Sequence, residues 1–403
     1  MIKTPLTLSG RLRPPLLVFA AALCGFFAWG YGLTPFAALV VPLWFLSASR
    51  LQAWLIMLAY FMAGSRTIPL SSAVFFEQGT NIGFGLLLWC LSAALLAAPW
   101  ALFRPRAPLA GRIAHLIVAI ALSVLPPLGL IGWTNPWLGA ALIVPGLGWW
   151  SLILGFALLA LCAYVPRGRP LRNLAGAFAV VILASAVGAK RDLPSPPSQW
   201  IGVEMHAGKA PESAPEQLAR QLAVVQAVDA ALAQGKQVIV LPEQILGTWS
   251  DTWRYFLDAT IGPALRDSSA TLVVGAAVPT GQEARTFNAM LTFDGQSWAQ
   301  ANARFAIPVS MWKPWRHDST EVEWLTSGIY EVGGQRVMLS LCYEDLLVWT
   351  TLVSFAHKPD LIVSMANAWW AGGGPAILDI QREHIEAWAR IFNVPLVRAL
   401  NAP

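Results

Sequence analysis

The stretch VMLSLCYEDLL, residues 337–347, decides how the second half of the chain is expected to fold. Its apolar residues are typical of a buried β-strand that brings Cys342 to the strand end, where Tyr343, Glu344 and Asp345 follow at once. A thiol there lies near backbone N–H groups at a helix start, which lower its pKa and favour the nucleophilic thiolate. We therefore expect a nucleophile at Cys342, with a buried inert cysteine as the alternative.

Composition indicates that part of the chain lies in a membrane. Of 403 residues, 56% are hydrophobic and 12% are charged, whereas soluble domains carry about 25% charged residues. The net charge is +5, but most arginines of the first half lie in short loops between apolar runs, which argues against direct nucleic-acid binding. Cys24, Cys90 and Cys162 lie inside apolar runs. We see no disulfide framework and no metal-ligand spacing, and expect no metal and no cofactor.

Residues 1–190 are expected to form a membrane domain of about seven transmembrane helices, since each span needs about 20 apolar residues. The third run is short, and the sixth, interrupted by Pro145, Gly146 and Gly148, is equally compatible with a re-entrant piece plus a helix. The apolar runs cover about residues 14–32, 33–48, 51–64, 80–103, 113–133, 137–165 and 173–189.

Basic residues alternate between the loops of this half. The loop after the third run carries only Arg66, and the loop after the fifth carries no charge. By the positive-inside rule this predicts a cytoplasmic N-terminus, a multi-pass protein of the bacterial inner membrane, and a periplasmic location for everything after residue 189. Only His115 is ionisable within a run, so a permease with an appended domain has little support. The basic clusters are Lys3, Arg11, Arg13, Arg50, Arg104, Arg106, Arg112, Arg167, Arg169 and Arg172.

Residues 191–199, RDLPSPPSQ, are predicted to be a linker, and residues 200–403 a separate α/β domain. Strand and helix patterns alternate beyond the linker, and several strands are continuous Val/Ile/Leu runs. Such strands are buried on both faces, which predicts a layered domain with helices outside. Expected strands cover residues 237–242, 271–278, 286–294, 336–342, 360–365 and 395–400, and a long amphipathic helix covers residues 376–392.

Two residues of this domain have catalytic character by their position. Glu243 follows VIVLP and Cys342 follows VMLSL, so both stand at strand ends, where α/β sheets present catalytic groups. A solvated carboxylate after a strand is the alternative for Glu243. Between them lies the cationic stretch NARFAIPVSMWK, residues 302–313. A glutamate base, a cysteine nucleophile and a cation for an oxyanion form a consistent set.

Five motifs occur in the order found in carbon–nitrogen hydrolases of the nitrilase superfamily, which the chain therefore resembles. They are LPEQ at 241–244, FNAMLTFDG at 287–295, LCYED at 341–345, MANAWW at 365–370 and VRALN at 397–401. Apolar spans followed by such a domain resemble the apolipoprotein N-acyltransferase branch, which moves an acyl chain from a phospholipid to a lipoprotein's terminal amine. The motif IPVSMW at 307–312 and the end of the chain at Pro403 resemble membrane proteins of plasmid conjugal transfer more closely than the acyltransferase branch.

The resemblance implies an α-β-β-α sandwich and a set of site residues. Glu243 would be the general base and Cys342 the acyl-accepting nucleophile, with Glu344 supporting the site. Asn367 and Trp369 would lie on a neighbouring strand-end loop and contact substrate.

The chain departs from the family at the catalytic lysine. Counting back from Pro308 puts Ala303 at the lysine position, and a shift of one residue puts Arg304 there. We favour Arg304 as the substitute cation, then Lys313, then no replacement. Arginine can hold a charge near an oxyanion but cannot relay a proton. Met311 stands where the acyltransferases carry a lid glutamate.

Two functions follow from these expectations. The first is a membrane-anchored, thiol-dependent enzyme for acyl transfer or amide hydrolysis, acting on a lipid or lipoprotein in plasmid conjugal transfer. The second is an inactive membrane scaffold of a conjugation or pilus-assembly system, favoured by the missing lysine. The expected partners are membrane lipids and proteins of the conjugation apparatus.

Overall fold

The computed structural model describes residues 13–76, 81–105, 108–164, 176, 179, 181, 192–282, 284–371 and 376–403. The chain divides into two compact units. The N-terminal unit comprises Met1–Ala73, Glu77–Asp192 and Arg390–Phe392, and the C-terminal unit comprises Val74–Phe76, Leu193–Ala389 and Asn393–Pro403. The division after Asp192 falls within residues 191–199, the predicted linker, of which residue 191 lies outside the described residues.

The first half of the chain is helical. Its buried tryptophans donate their ring N–H groups internally: Trp44 Nε1 to the carbonyl of Trp100 (2.7 Å), and Trp100 Nε1 to Ser123 Oγ (3.1 Å). The helices are α1 Arg13–Ala28, α2 Val40–Phe45, α3 Arg50–Gly64, α4 Ile68–Phe75, α5 Gly83–Leu102, α6 Leu109–Val124, α7 Pro136–Ala141 and α8 Trp149–Leu161, with 3-10 turns at Thr34–Leu39, Leu128–Leu130 and Cys162–Tyr164.

One described helix is long and apolar enough to cross a membrane by itself, namely α5. Helices α3 and α4 meet the same criterion only as a pair, bent by 50°. The expected seven spans are therefore not reproduced as seven long helices within the described residues, and most of the seventh run, 173–189, lies outside them. Proline and glycine break the apolar runs: α7 and α8 are separated at Gly146 and Gly148, both at positive φ.

The surface of α5 is largely apolar and uncovered. Contiguous exposed leucines are rare on soluble proteins and mark a surface that meets lipid or another protein. A membrane association of the chain is consistent with this helix. The exposed leucines of α5 are Leu86, Leu87, Leu91, Leu95 and Leu102.

The C-terminal unit contains two sheets. The first has the order β1-β3-β4-β5-β6, where β1 is Trp200–Gly202, β3 Val238–Val240, β4 Thr271–Pro279, β5 Thr286–Phe293 and β6 Trp298–Asn302, and β7 Thr320–Glu321 pairs with β5. The second has the order β2-β11-β10-β9-β8, where β2 is Glu204–Met205, β11 Leu396–Asn401, β10 Leu361–Asn367, β9 Gln335–Leu341 and β8 Ile329–Val332.

The two sheets pack face to face, and helices cover their outer faces. One hydrophobic cluster joins Val240 and Val273 of the first sheet to Leu339, Val363 and Val397 of the second. A second cluster joins the other face of the first sheet to the helices at Ala214–Ala233, Asp251–Thr260 and Gly262–Ser268. The expected α-β-β-α sandwich is confirmed. The helices of this unit are α9 Ala214–Ala233, α10 Asp251–Thr260, α11 Gly262–Ser268, α12 Val348–Ala356 and α13 Ala376–Phe392, with 3-10 turns at Cys342–Leu346 and Trp369–Ala371.

Strand direction gathers the polar motif residues at one edge. Strands β1, β3 and β4 run parallel in one sheet, and β2, β11, β10 and β9 run parallel in the other. Asn367 and Asn401 are register partners at the ends of β10 and β11. Because the carboxyl ends of parallel strands meet at one edge, residues that follow these strands come close together.

Candidate active site

Glu243 lies in the loop after β3 and is almost completely buried. Its Oε1 accepts a hydrogen bond from Asn288 Nδ2 (2.7 Å), and its Oε2 accepts one from the backbone N–H of Asn367 (3.0 Å). The loop sits directly on β4, because a Cβ atom at Gly275 would lie 2.5 Å from the Glu243 Cα. A glycine is therefore required there for the carboxyl to take this place.

Burial raises the pKa of Glu243 to about 7. The charge of Asp345 acts in the same direction, while hydrogen bonds from Asn288, Cys342 and Asn367 favour the ionised form and oppose the rise. A carboxyl group that titrates near neutrality can both take and return a proton at physiological pH, as general acid–base catalysis requires.

Cys342 lies directly after β9, at the start of the 3-10 turn Cys342–Leu346. Its φ of +47° is in the left-handed region, which is strained for a residue with a side chain. Gln381 on α13 donates to its carbonyl oxygen (2.8 Å). The thiol lies beside the Glu243 carboxyl, so that the two groups influence each other's pKa. The structure thus brings together the sulfur and the carboxyl that the sequence singles out.

The pKa of Cys342 is raised well above its usual value, chiefly by burial and next by the negative charge of Glu243. From the sequence we expect a helix to start at Cys342 and to lower the pKa of its thiol. The structure differs from this expectation for two reasons. The cysteine begins a short 3-10 turn, while helix α12 starts only at Val348. The residue is also 7% exposed, so desolvation outweighs the backbone dipoles. The thiol is protonated at rest and depends on a base.

Asp345 anchors the turn that carries Cys342. Its carboxylate accepts hydrogen bonds from Ser340 Oγ (2.5 Å) on β9, Ser364 Oγ (2.8 Å) on β10, and Gln381 Nε2 (3.1 Å) on α13. Burial raises its pKa to about 7, and the charge of Arg398 opposes that rise. Asp345 therefore ties the turn to the outer face of the second sheet and to α13.

Glu344 and Arg304 form a buried ion pair on the other side of the turn (Nη2 to Oε2, 3.3 Å). Glu344 Oε1 also accepts the backbone N–H groups of Arg304 (2.6 Å) and Phe305 (2.9 Å). The guanidinium donates further to the Thr350 carbonyl (2.6 Å) and to Ser354 Oγ (2.7 Å). The guanidinium also donates to the carbonyls of Ser327, just before β8, and of Leu339 on β9, and these contacts hold the segment after β6 against the Cys342 turn.

Lys313, the second candidate cation, lies in the segment 305–328, hereafter the lid. Its Nζ pairs with Asp318 Oδ2 (2.8 Å), which also pairs with Arg316. Ala303 belongs to the hydrophobic cluster between the two sheets. Within the part of the chain that the structure describes, no lysine or arginine forms an ion pair with Glu243.

Aromatic rings of the lid pack beside the Cys342 turn. Phe305 is the centre, with ring centroids 5.2 Å from Trp312, 5.0 Å from Trp324 and 6.3 Å from Tyr343. Trp324 continues the cluster to Trp349 (6.3 Å). These rings form an apolar cluster next to the turn that carries Cys342. Farther out on the lid, Trp315 is 68% exposed and Leu325 is fully exposed.

Asn367 and Trp369, the expected substrate contacts, follow β10. Asn367 provides the N–H at the Glu243–Cys342 pair, and its Oδ1 accepts from Asn401 Nδ2 (2.8 Å). Trp369 is partly exposed and begins the 3-10 turn Trp369–Ala371, just before residues 372–375, which lie outside the described residues. The described residues contain no group of three or more His, Cys, Asp or Glu side chains that could hold a metal ion.

Four residues of the site were not identified from the sequence. Asn288 and Asn401 lie in motifs that were noted, FNAMLTFDG and VRALN, and Asp345 follows Glu344 directly. The positions of Asn288, Asn401 and Asp345 within or next to these motifs are the sequence signal by which they could have been identified. Gln381 is one polar residue of the amphipathic helix α13, and nothing in its local pattern distinguishes it from a surface glutamine.

The buried and the exposed candidate cations are expected to differ in their effect on stability. Arg304→Met leaves the Glu344 carboxylate buried and unpaired and should lower the free energy of unfolding by about 3–5 kcal/mol. Lys313→Met removes a partly exposed ion pair and should cost about 0–1 kcal/mol. Thermal unfolding of the purified protein in detergent measures both. Equal losses of stability in the two variants would contradict the assigned contacts.

Stability is expected to fall as the pH rises from 5 to 8. The folded-state pKa values of Asp345 and Glu243 lie above their usual values, so the folded protein holds these protons more tightly than the unfolded chain. The resulting stability is fully present below pH about 4 and is lost as the pH passes about 7. Each carboxyl contributes up to about 4 kcal/mol over its full titration.

Asp345→Asn stays neutral at every pH and should flatten this decline. Asp229 on α9 is exposed, so Asp229→Asn is the matched control and should keep the wild-type slope. Melting temperatures at pH 5, 6, 7 and 8 give the comparison. A decline in Asp345→Asn as steep as in the control would refute the assignment.

Comparison with known proteins gives two relatives along nearly the full chain, while no family model matches. "Probable conjugal transfer protein TraB" of Sinorhizobium fredii is 32% identical over 401 residues, covering 97% of this chain and 99% of the relative. "Conjugal transfer protein TraB" of Agrobacterium fabrum is 32% identical over 411 residues, covering 97% and 93%.

Solved structures similar to the chain include nitrilase-superfamily amidases. A double mutant of the amidase from Nesterenkonia sp. AN1 in complex with acrylamide is 13% identical, covers 52% of this chain and 80% of its own, and has a TM-score of 0.38. The same amidase with its His-tag removed is 14% identical, covers 49% and 76%, and has a TM-score of 0.35. The two full-length relatives establish the family: the chain belongs to the conjugal transfer protein TraB family.

Proposed function

We propose that the protein is a membrane-anchored, thiol-dependent enzyme of carbon–nitrogen hydrolase type that transfers an acyl group or hydrolyses an amide in plasmid conjugal transfer. The position of the Glu243 carboxyl beside the Cys342 thiol carries this proposal. A base in contact with a nucleophile, both at strand ends, is the arrangement that covalent acyl chemistry needs. The membership of the TraB family supplies the link to conjugal transfer.

The proposed reaction runs through a thioester. Ionised Glu243 takes the thiol proton, and the thiolate of Cys342 forms a bond to the carbonyl carbon of the substrate. The carbonyl oxygen becomes an oxyanion and then re-forms the double bond as the amine or alcohol leaves with the proton from Glu243. Water or an acceptor amine then attacks the thioester carbon while Glu243 takes its proton. The C–S bond breaks, the carboxylic acid or the new amide is released, and the proton returns from Glu243 to sulfur.

We assign Arg304 and Glu344 a positioning role in this reaction. Their ion pair and the two backbone N–H groups held by Glu344 fix the segment after β6 against the turn of Cys342. Lys313 is the candidate cation of the lid, and its position on a long loop segment suits a contact with the polar part of a substrate. Asn367 and Trp369 are the proposed substrate contacts on the second sheet.

Lipid is the proposed environment of the substrate. The exposed apolar side chains Trp315 and Leu325 on the lid and the uncovered leucines of α5 favour contact with a bilayer. An acyl group on a lipid or lipoprotein would enter beside the aromatic cluster around Phe305. Proteins of the conjugation apparatus are the proposed partners.

An inactive scaffold is the second candidate function, and one observation favours it. Of the two positions that could match the family's lysine, Ala303 lies in the core between the sheets and Arg304 pairs with Glu344, and among the described residues no cation pairs with Glu243. An oxyanion would then lose one charged donor, which is worth about 3–4 kcal/mol of transition-state stabilisation in comparable sites.

Acyl labelling distinguishes the two functions. Membranes containing the wild-type protein are incubated with an alkyne-tagged phospholipid acyl donor, and labelling of the protein is measured after click coupling. Labelling should be lost in Cys342→Ala and retained in Cys90→Ala, since Cys90 is an exposed cysteine of α5. Plasmid transfer in matings should fall in Cys342→Ala and stay normal in Cys90→Ala. Normal transfer by Cys342→Ala with no labelling of the wild type would establish the scaffold instead.

Membrane topology is tested by reporter fusions. The proposed multi-pass topology places the loop after α5 in the cytoplasm and the C-terminal unit in the periplasm. Alkaline phosphatase should be active when fused after Pro403 and inactive when fused after Pro105, with β-galactosidase showing the reverse. The same reporter activity at both positions would rule out this topology.

A further inference from the structure

One glutamine of helix α13 reaches the turn that carries Cys342. Gln381 is buried, and its Nε2 donates to the carbonyl oxygen of Cys342 (2.8 Å) and to Asp345 Oδ2 (3.1 Å). Cys342 and Asp345 both belong to the 3-10 turn that follows β9, so a single amide group joins two points of this turn. The helix is therefore in direct contact with the backbone of the residue that bears the thiol.

Both neighbours of the Gln381 nitrogen are hydrogen-bond acceptors. A backbone carbonyl has no proton to give, and the Asp345 carboxyl already receives the hydroxyl groups of Ser340 and Ser364. These two serines are completely buried register partners on β9 and β10. An amide nitrogen carries two N–H donors and can serve both acceptors at once, whereas a hydroxyl has one donor and a carboxylate has none. The surroundings of position 381 therefore suit the amide of a glutamine.

The backbone of Cys342 needs such a contact because its conformation is strained. With φ at +47°, the Cβ atom lies close to the carbonyl oxygen of the same residue. Residues with a side chain keep this conformation only where the surrounding structure holds it. Because β9 fixes the chain before Cys342, a relaxation toward negative φ would turn Cβ and the sulfur into a new direction. The bond from Gln381 to the carbonyl oxygen opposes this rotation.

The candidate base is held by other elements. Glu243 accepts hydrogen bonds from Asn288 Nδ2 on β5 (2.7 Å) and from the backbone N–H of Asn367 on β10 (3.0 Å). Its loop also packs directly on β4 at Gly275. A rotation of Cys342 would therefore move the sulfur away from a carboxyl that stays in place.

We propose that Gln381 is a positioning residue: its bond to the carbonyl oxygen of Cys342 keeps this residue in the left-handed conformation that places the sulfur beside the Glu243 carboxyl. The inference rests on the proposed function, in which Cys342 is the nucleophile and Glu243 its base, and it adds the group that sets their relative position. Gln381 acts through the backbone of Cys342 and takes no part in the proton transfer.

Alkylation of the thiol measures this positioning without a substrate. The purified full-length protein in detergent is treated with iodoacetamide between pH 6 and pH 10, and modification of Cys342 is quantified by peptide mass spectrometry. Gln381→Met keeps the length of the side chain but removes both donors. We expect alkylation at pH 7.5 to slow about tenfold, which is part of the roughly 10²–10⁴-fold that a positioned base contributes to a proton transfer.

A double-mutant cycle separates positioning from a general loss of structure. Glu243→Gln removes the base, so a displacement of the sulfur from this side chain then has little further effect. Gln381→Met should therefore slow alkylation by less than about twofold in the Glu243→Gln background. A substitution that merely loosened the fold would expose the sulfur and change the rate by the same factor in both backgrounds. Equal factors in the two backgrounds overturn the proposal, as does an unchanged or faster rate in Gln381→Met alone.

A second glutamine on a helix of the same unit provides the control. Gln226 on α9 is exposed, so Gln226→Met should keep the wild-type rate at every pH. Gln381→Asn serves where Gln381→Met does not accumulate, because it keeps an amide but is one methylene too short to reach both acceptors. It should also slow alkylation at pH 7.5, and a wild-type rate in this variant contradicts the role of Gln381.

The two proposals fail in different ways. Acyl labelling of the wild type together with an unchanged alkylation rate in Gln381→Met overturns the role of Gln381 alone. A slower rate in Gln381→Met that disappears in the Glu243→Gln background, together with no acyl labelling of the wild type, overturns acyl transfer alone.

Discussion

The hydrogen bond from the backbone N–H of Asn367 to Glu243 Oε2 (3.0 Å) is the constraint on which the candidate site depends. Each residue stands at the end of a strand of a different sheet, so the bond exists only because the two sheets pack face to face. Burial raises the pKa of Glu243 and of the neighbouring Cys342, and hydrogen bonds from Asn288 and Asn367 to the Glu243 carboxyl oppose the rise of its pKa. Asp345 and Glu344 then hold the turn of Cys342 from its two sides.

Much of this domain was predictable because its strands are continuous apolar runs that end in polar residues. The strands around 238–240, 271–279, 335–341 and 361–367 and the helix α13 follow from such local patterns. The short strands β1, β2, β6, β7 and β8 were missed, since two to five residues carry little periodicity. The raised pKa of the thiol was missed as well, because its burial depends on contacts from distant segments. Such contacts cannot be inferred from the local sequence VMLSLCYEDLL.

The sequence could not show which basic residue, if any, lies near Glu243 and Cys342. The segment 302–313 contains Arg304 and Lys313, and spacing alone does not decide which way a side chain points. In the structure Arg304 turns toward Glu344 and the helix α12, and Lys313 pairs with Asp318 in the lid. In the first half of the chain the length of the apolar runs predicts seven spans, but among the described helices α5 alone is long enough to cross a bilayer by itself.

Splitting the reactive pair between two layers has a mechanical consequence. A shear of one layer past the other by roughly 1 Å breaks a hydrogen bond of ordinary length, yet it leaves the backbone ladders of each layer intact. The approach of the Glu243 carboxyl to the Cys342 thiol thus depends on the alignment of the two sheets, and a small displacement between the layers would separate these groups while each sheet stays folded.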